Sequence, residues 1–146
     1  MPSPGDVAPD FEAPTQSGTT LKLSSLRGST VVLYFYPEAD TPGCTMESQG
    51  FRDHYAAFRA KGVHVVGVST DGVDAQCAFA DKYGLPFPLV ADSSKEVARL
   101  YGVLGPGGRA RRVTFLIDPQ GKVARVIEVK KATDHVTEAR KALLAG

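Results

Sequence analysis

The feature that most constrains the fold is an unbroken apolar run at residues 31–36, followed by a turn segment and then by a helical pattern. The run has the length and the β-branched and aromatic residues of a buried strand. The turn segment, residues 37–44, holds two prolines and a glycine and ends in Cys44. From Cys44 to residue 60, apolar and small residues recur at helical spacing. The sequence therefore predicts a strand that leads through a tight turn into a helix, with Cys44 at the helix start.

The remaining pattern alternates strands with helices and then forms a hairpin around the turn Asp-Pro-Gln-Gly at residues 118–121. Further strands are predicted at 20–23, 63–68, 89–91, 113–117 and 123–129, and further helices at 74–83, 95–101 and 133–144. This order predicts an α/β fold, in which a central, partly parallel sheet carries helices on both faces. Because no linker or repeat divides the 146 residues, we expect one domain spanning 1–146.

Composition and charge narrow the classes of function. A formal net charge of +1 gives no electrostatic case for binding nucleic acid or an anionic membrane surface. No apolar run approaches the roughly 20 residues that a membrane-spanning helix needs, and the N-terminus lacks the pattern of a secretory signal. Two cysteines do not make a disulfide scaffold. We therefore expect a cytoplasmic protein with functional thiols.

Cys44 is the candidate reactive residue. At a helix start, unpaired backbone N–H groups and the positive end of the helix dipole favour the thiolate, which is the nucleophilic form of cysteine. A nearby guanidinium would favour it further, and Arg112 is the leading candidate because strand alternation places it on one face with Thr114. The alternative is that Arg112 is a strand-end charge that extends into solvent.

Thr41 and Glu47 lie three residues before and three residues after Cys44. The Thr41 hydroxyl is expected either to cap the helix by accepting N–H bonds or to contact the thiolate or a substrate oxygen. Glu47 completes a pattern similar to a capping box. It also occupies the position of the second cysteine of a Cys-x-x-Cys motif, which argues against a general disulfide reductase.

Residues 34–47, Tyr-Phe-Tyr-Pro-Glu-Ala-Asp-Thr-Pro-Gly-Cys-Thr-Met-Glu, resemble the active-site segment of the peroxiredoxins, most closely the bacterioferritin-comigratory (PrxQ) subfamily. Segments at 9–11, 67–71, 87–92 and 112–118 match further family landmarks in order. The resemblance implies a thioredoxin-like fold with an N-terminal β extension. It also implies thiol-dependent reduction of hydrogen peroxide and organic hydroperoxides, with no metal, haem or flavin cofactor.

The resemblance also implies roles for individual residues. Cys44 would be the peroxidatic nucleophile, with Thr41 and Arg112 completing the catalytic site. Pro37 would shield the thiolate, and the backbone N–H groups of Gly43 and Cys44 would bind peroxide oxygens. The residues expected to contact substrate are therefore Pro37, Gly43 and Glu47.

The second cysteine, Cys77, is the candidate resolving residue. Many members of the subfamily carry a resolving cysteine five residues after the first, where this chain has Gln49. Cys77 lies off the apolar stripe of the helix predicted at 74–83, so we expect it to be at least partly exposed. A Cys44–Cys77 disulfide would require local unwinding of one or both helices, because a disulfide needs Cα atoms within roughly 7 Å.

Three functions remain open from the sequence. The first is a monomeric thiol peroxidase that forms the Cys44–Cys77 disulfide and is recycled by thioredoxin or a similar dithiol. The second is a one-cysteine peroxidase resolved by an external thiol. The third is a non-enzymatic thioredoxin-fold module that senses oxidants or binds a partner, against which Thr41 and Arg112 argue because a passive thiol needs neither.

Overall fold

A computed structural model describes residues 1–144 and shows a five-stranded mixed sheet with strand order β5-β4-β3-β6-β7. The strands are β1 (Glu12–Pro14), β2 (Thr20–Lys22), β3 (Thr30–Phe35), β4 (Val63–Ser69), β5 (Leu89–Ala91), β6 (Val113–Ile117) and β7 (Val123–Ile127). β3 pairs in parallel with β4 and antiparallel with β6, while β4 pairs in parallel with β5 and β6 pairs antiparallel with β7. The predicted α/β class with a partly parallel sheet is confirmed. The N-terminal extension is a separate two-stranded sheet of β1 and β2.

The helices divide between the two faces of the sheet. They are α1 (Pro42–Asp53), α2 (Tyr55–Ala60), α3 (Val73–Tyr83), α4 (Glu96–Leu100) and α5 (Ala132–Leu143). Alternate residues of β3 enter two separate cores: Leu33 and Phe35 join α4 and the N-terminal segments, whereas Val32 and Tyr34 face α1, α2, α3 and α5. A strand that is buried on both faces carries no polar face, which explains the unbroken apolar run.

The sequence-based boundaries need several corrections, among them the last strand, which ends at Ile127 rather than at residue 129. The helix predicted from Cys44 to residue 60 is two helices, because the backbone at His54 leaves the helical region (φ −107°, ψ 6°). α1 also begins two residues earlier than predicted, at Pro42, whose fixed φ suits the first turn of a helix. β1 is a strand that the sequence does not predict, because three residues are too few to show a strand period.

The approach of α1 to α5 positions the site described below. A Cβ atom at Gly50 of α1 would lie 2.9 Å from Val136 Cγ2 of α5, so this contact requires glycine. The close approach places the buried face of α1 against the start of α5. Within residues 1–144, every helix is too short or too polar to cross a lipid bilayer.

Candidate active site

Cys44 is the third residue of α1, and its side chain is buried, with 1% of the residue exposed. Arg112 Nη2 donates to Cys44 Sγ at 3.4 Å. The first turn of the helix is closed by the bond from Thr45 N to Thr41 O at 2.8 Å. The amides of Gly43 and Cys44 precede that bond, so they belong to the helix-start N–H groups that have no i−4 partner and that favour an anion.

Arg112 joins Cys44 to Glu47. Its Nη1 atom donates to Glu47 Oε1 at 2.6 Å, and its side chain is only 19% exposed, so the alternative of a solvated strand-end charge is wrong. Burial disfavours the charged guanidinium, but the neighbouring Glu47 and Cys44 outweigh burial and raise the pKa of Arg112. A Cβ atom at Gly43 would lie 3.2 Å from Arg112 Nη2. Glycine at this position therefore leaves room for the guanidinium over the helix start.

Thr41 occupies the N-cap position of α1, but its side chain makes no capping bond, so the expected cap is wrong. Instead the Thr41 hydroxyl donates to the carbonyl oxygen of Glu38 at 2.8 Å. A hydroxyl has one proton to donate and two lone pairs to accept with. Because the proton is already engaged, Thr41 Oγ1 is left as an acceptor.

Glu47 is buried with 0% exposure, and its contact with Arg112 replaces the capping-box contact that the sequence suggested. Its second oxygen, Oε2, has no hydrogen-bond partner among residues 1–144. Burial, opposed only in part by Arg112, raises the pKa of the Glu47 carboxyl to about 8. The sequence contained a signal for this pair: Glu47 is at i+3 from Cys44, on the buried stripe of the helix, where an acid needs a cationic partner.

His135 and Thr114 are site neighbours to which the sequence analysis gave no role in the site. Both are fully buried, and His135 Nδ1 lies 2.8 Å from Thr114 Oγ1 and 3.8 Å from Glu47 Oε2. His135 Nε2 lies 2.8 Å from the carbonyl oxygen of Val129. The sequence indicated the position of Thr114, because strand alternation places it on one face with Arg112. Arg112 contacts Glu47 and Thr114 contacts His135.

Three consecutive residues of the segment between β3 and α1 are held by contacts with other parts of the chain. Glu38 pairs with Arg109 at 2.9 Å. The backbone N–H of Ala39 donates to Asp71 Oδ2 at 2.8 Å. The third contact is made by Asp40, which accepts from Lys82 Nζ at 2.9 Å and from Tyr83 Oη at 2.7 Å. These contacts fix the segment that carries the half-buried Pro37 and leads through Thr41 into α1.

The comparisons with known proteins identify the family. Residues 4–126 match the AhpC/TSA family. This chain belongs to the AhpC/TSA family of peroxiredoxins. The peroxiredoxin is 43% identical over 141 residues to a putative peroxiredoxin bcp of Coxiella burnetii, covering 92% of this chain and 93% of the relative. It is 38% identical over 138 residues to peroxiredoxin Bcp of Escherichia coli K12, covering 90% of this chain and 88% of the relative.

Solved structures agree with this assignment of the peroxiredoxin. The crystal structure of peroxidoxin BcpB from Mycobacterium tuberculosis aligns with a TM-score of 0.93 and 40% identity, covering 99% of this chain and 98% of that chain. The bacterioferritin comigratory protein of Xanthomonas campestris, studied for its alkyl peroxide reduction activity, aligns with a TM-score of 0.86 and 32% identity, covering 92% and 90%. The thioredoxin-like fold and the peroxidase class are therefore confirmed, and the non-enzymatic alternative is wrong.

Cys77 of this peroxiredoxin lies on α3 and is half-buried, which agrees with its predicted position off the apolar stripe. Its Sγ atom donates to Asp81 Oδ2 on the same helix at 3.8 Å. The neighbouring residue Gln76 is buried and accepts from Tyr36 Oη at 2.6 Å. Both cysteines are free thiols, and the contact that each sulfur makes is with a different partner, Arg112 for Cys44 and Asp81 for Cys77.

The buried carboxyl makes the peroxiredoxin's stability depend on pH. The pKa of Glu47 rises from 4.5 in the unfolded chain to about 8 in the folded protein, so the folded state holds the proton more tightly. The associated stability is fully present below pH 4.5 and is lost as the pH rises toward about 8. Glutamine cannot ionise. The free energy of unfolding of Glu47→Gln is therefore expected to fall less than that of the parent protein between pH 4.5 and about 8. Urea unfolding of both proteins at several pH values measures the difference, and parallel curves would contradict it.

Proposed function

We propose that this peroxiredoxin reduces hydrogen peroxide and organic hydroperoxides by attack of the Cys44 thiolate on one peroxide oxygen. The observation that carries the proposal is the buried Cys44 sulfur, 3.4 Å from the Arg112 guanidinium at a helix start. Organic hydroperoxides are included because the Xanthomonas campestris relative is described as reducing alkyl peroxides.

In the reaction, an S–O bond forms as the O–O bond breaks, so that Cys44 becomes a sulfenic acid and the departing oxygen takes a proton to give water or an alcohol. The negative charge moves from sulfur onto the departing oxygen. Arg112 and the amides of Gly43 and Cys44 are the donors that stabilise this charge. Thr41 Oγ1 accepts the O–H of the peroxide and orients it, and Pro37 shields the sulfur from water.

The role of Thr41 is tested by two substitutions. Thr41→Val keeps the shape of the side chain but removes the oxygen, and it is expected to slow Cys44 oxidation by about 10- to 100-fold. Thr41→Ser keeps the hydroxyl and its bond to the Glu38 carbonyl, so it should stay within a few-fold of the parent. Stopped-flow measurement of Cys44 oxidation gives both rates. Equal rates for Thr41→Val and Thr41→Ser would show that the hydroxyl takes no part.

We further propose that Cys77 resolves the sulfenic acid of Cys44 as an intramolecular disulfide, which thioredoxin or a similar dithiol reduces, and that the enzyme works as a monomer. Cys77 attacks the Cys44 sulfur, an S–S bond forms and water leaves. Because Cys44 is buried under Arg112 and Cys77 contacts Asp81, the start of α1 or the helix α3 must open first. The contacts of Cys44 with Arg112 and of Cys77 with Asp81 also favour the second candidate, a one-cysteine cycle with an external thiol, because each sulfur is held by a partner other than the second cysteine.

Peptide mapping after one equivalent of peroxide separates the two cycles. The proposal predicts a Cys44–Cys77 crosslinked peptide in the parent protein, and in Cys77→Ser a Cys44 sulfenic acid that persists until an external thiol is added. Peroxide turnover with thioredoxin should then be faster in the parent, which presents a disulfide, than in Cys77→Ser, which presents a sulfenic acid. An oxidised parent protein without the crosslink would leave the one-cysteine cycle.

A further inference from the structure

One guanidinium serves two acidic groups in this site. Arg112 contacts Cys44 Sγ at 3.4 Å through Nη2 and Glu47 Oε1 at 2.6 Å through Nη1. Cys44 and Glu47 are both buried, with 1% and 0% exposure. Burying two negative charges against one positive charge leaves one charge without compensation, which is costly away from water. The arrangement therefore favours one anion at a time.

The groups around Glu47 offer no second counter-charge. From β3, Tyr34 hydrogen-bonds Ser48, and burial raises the pKa of its phenol well above the usual value, so it is neutral. From α5, burial lowers the pKa of His135 and keeps the ring neutral. The remaining charged or titratable neighbours are Cys44 on α1 and Arg112 before β6. Arg112 is thus the one cation in contact with the carboxyl in the part of the chain that the structure describes.

The hydrogen bonds of His135 fix its tautomer. The Val129 carbonyl at 2.8 Å can only accept, so Nε2 must carry the ring proton. In a neutral ring Nδ1 is then bare, and it accepts the Thr114 hydroxyl at 2.8 Å. Glu47 Oε2, which has no hydrogen-bond partner among residues 1–144, lies 3.8 Å from this bare nitrogen. The single lone pair of Nδ1 is taken by the Thr114 hydroxyl, so Nδ1 offers Oε2 no proton. A carboxylate oxygen at Oε2 would therefore be buried with no donor beside it among residues 1–144, which favours the neutral carboxylic acid.

We propose that Glu47 holds a proton on Oε2, facing His135, while Cys44 is a thiolate, and that Glu47 gives the proton up when Cys44 is oxidised. The inference rests on the proposed peroxidase reaction. The reactants are the Cys44 thiolate, the Glu47 carboxylic acid and the hydroperoxide. The products are the Cys44 sulfenic acid, the Glu47 carboxylate and an alcohol. The sulfur is oxidised, the O–O bond is reduced, and the proton lost by Glu47 balances the proton gained by the departing oxygen. Arg112 then faces one anion before the reaction and one after it.

The driving force is electrostatic. Once the thiolate becomes a neutral sulfenic acid, the guanidinium has lost one anion and stabilises the Glu47 carboxylate instead. Glu47 acts on the sulfur through Arg112, and His135 acts through Glu47, so both are positioning residues. The pH dependence follows from the raised pKa of Glu47, about 8: above it the carboxylate competes with the thiolate for Arg112. The rate of Cys44 oxidation is expected to fall about tenfold over one to two pH units above that value.

Infrared difference spectroscopy tests the proposal on the Cys77→Ser protein, which stops at the sulfenic acid. The spectrum after one equivalent of peroxide, minus the reduced spectrum, should show loss of one protonated carboxyl stretch and gain of a carboxylate band. Glu47→Gln should remove both bands and also the decline in rate above pH 8. Glu128→Gln is the matched control, since it removes an exposed carboxylate paired with Arg111 and should leave both bands in place.

Mass spectrometry of the same samples shows whether Cys44 has gained oxygen. If Cys44 is oxidised while the carboxyl bands stay unchanged, the proton inference is overturned and the peroxidase proposal stands. If Cys44 gains no oxygen, both fail. His135→Leu provides a second measurement, because loss of the facing nitrogen should shift the frequency of the protonated carboxyl band in the reduced protein. An unshifted band would remove His135 from the account.

Discussion

Replacing Cys44 with serine is expected to lower peroxide consumption by about a thousandfold or more, because the reaction loses its nucleophile. A serine hydroxyl at the same helix start remains protonated at neutral pH, so the amides and Arg112 have no anion to stabilise. The measurement is peroxide loss in a stopped-flow instrument, with reduced protein in excess over peroxide so that only the first turnover is observed.

Cys77→Ser is the matched control for this prediction, since it makes the same chemical change at the other cysteine. It should keep the first turnover at the parent rate, because Cys77 contacts Asp81 and acts only after Cys44 has been oxidised. Equal peroxide consumption by Cys44→Ser and the parent protein would remove Cys44 from the reaction.

Arg112→Met is expected to slow the oxidation of Cys44 by about 100- to 1000-fold, the usual effect of removing a donor that stabilises charge in a transition state. Methionine fills much of the same volume, so the pocket keeps its packing while losing the charge and both contacts of the guanidinium, to Cys44 Sγ and Glu47 Oε1. Arg112→Lys should fall between the two, because an ammonium keeps the charge but cannot contact both acids through a planar fork. Stopped-flow rates of Cys44 oxidation rank the three proteins.

Arg111→Met is the control for Arg112→Met. Arg111 is the adjacent arginine, and it pairs with Glu128 in a contact where both side chains are about half exposed, 49% and 45%. Exposed ion pairs of this kind contribute about 0–1 kcal/mol to stability. Arg111→Met should therefore oxidise Cys44 at the parent rate. Similar losses in both variants would mean that general positive charge, rather than the Arg112 contacts, promotes the reaction.

The sequence predicts most of the fold because its strands are continuous runs of apolar residues and its turns contain proline and glycine. The apolar run 31–36 has the residues of a buried strand, and the structure has β3 there. The turn Asp-Pro-Gln-Gly is typical of a hairpin, and the structure has β6 and β7 on its two sides. The sequence predicts one helix across His54 because Phe51 and Phe58 are both buried, so the apolar spacing continues across the break. Periodicity reports which side chains are buried and is insensitive to a local change in backbone direction.

Some features of the site can likewise be predicted from the sequence, and others cannot. The position of Cys44 at the helix start follows from the local pattern. Strand alternation makes Arg112 a candidate neighbour of Cys44 but leaves open a solvated strand-end charge, and only the structure decides between them. The hydrogen-bond partner of the Thr41 hydroxyl cannot be predicted from the sequence. A hydroxyl at that position can either cap the helix or donate to the Glu38 carbonyl, and it does the second. The contact of Glu47 with Arg112 and the proximity of His135 depend on how α1 and α5 meet, and that distance has no signature in either helix alone.

The most direct test of the account is the site of the first oxidation. Reduced Cys77→Ser protein is mixed with a hydroperoxide at less than one equivalent, trapped with a sulfenic-acid reagent, digested and mapped by mass spectrometry. We expect one adduct per peroxide consumed, located on Cys44 and lost in Arg112→Met at short reaction times. Peroxide consumption without a Cys44 adduct, or an adduct that forms as fast in Arg112→Met, would contradict it.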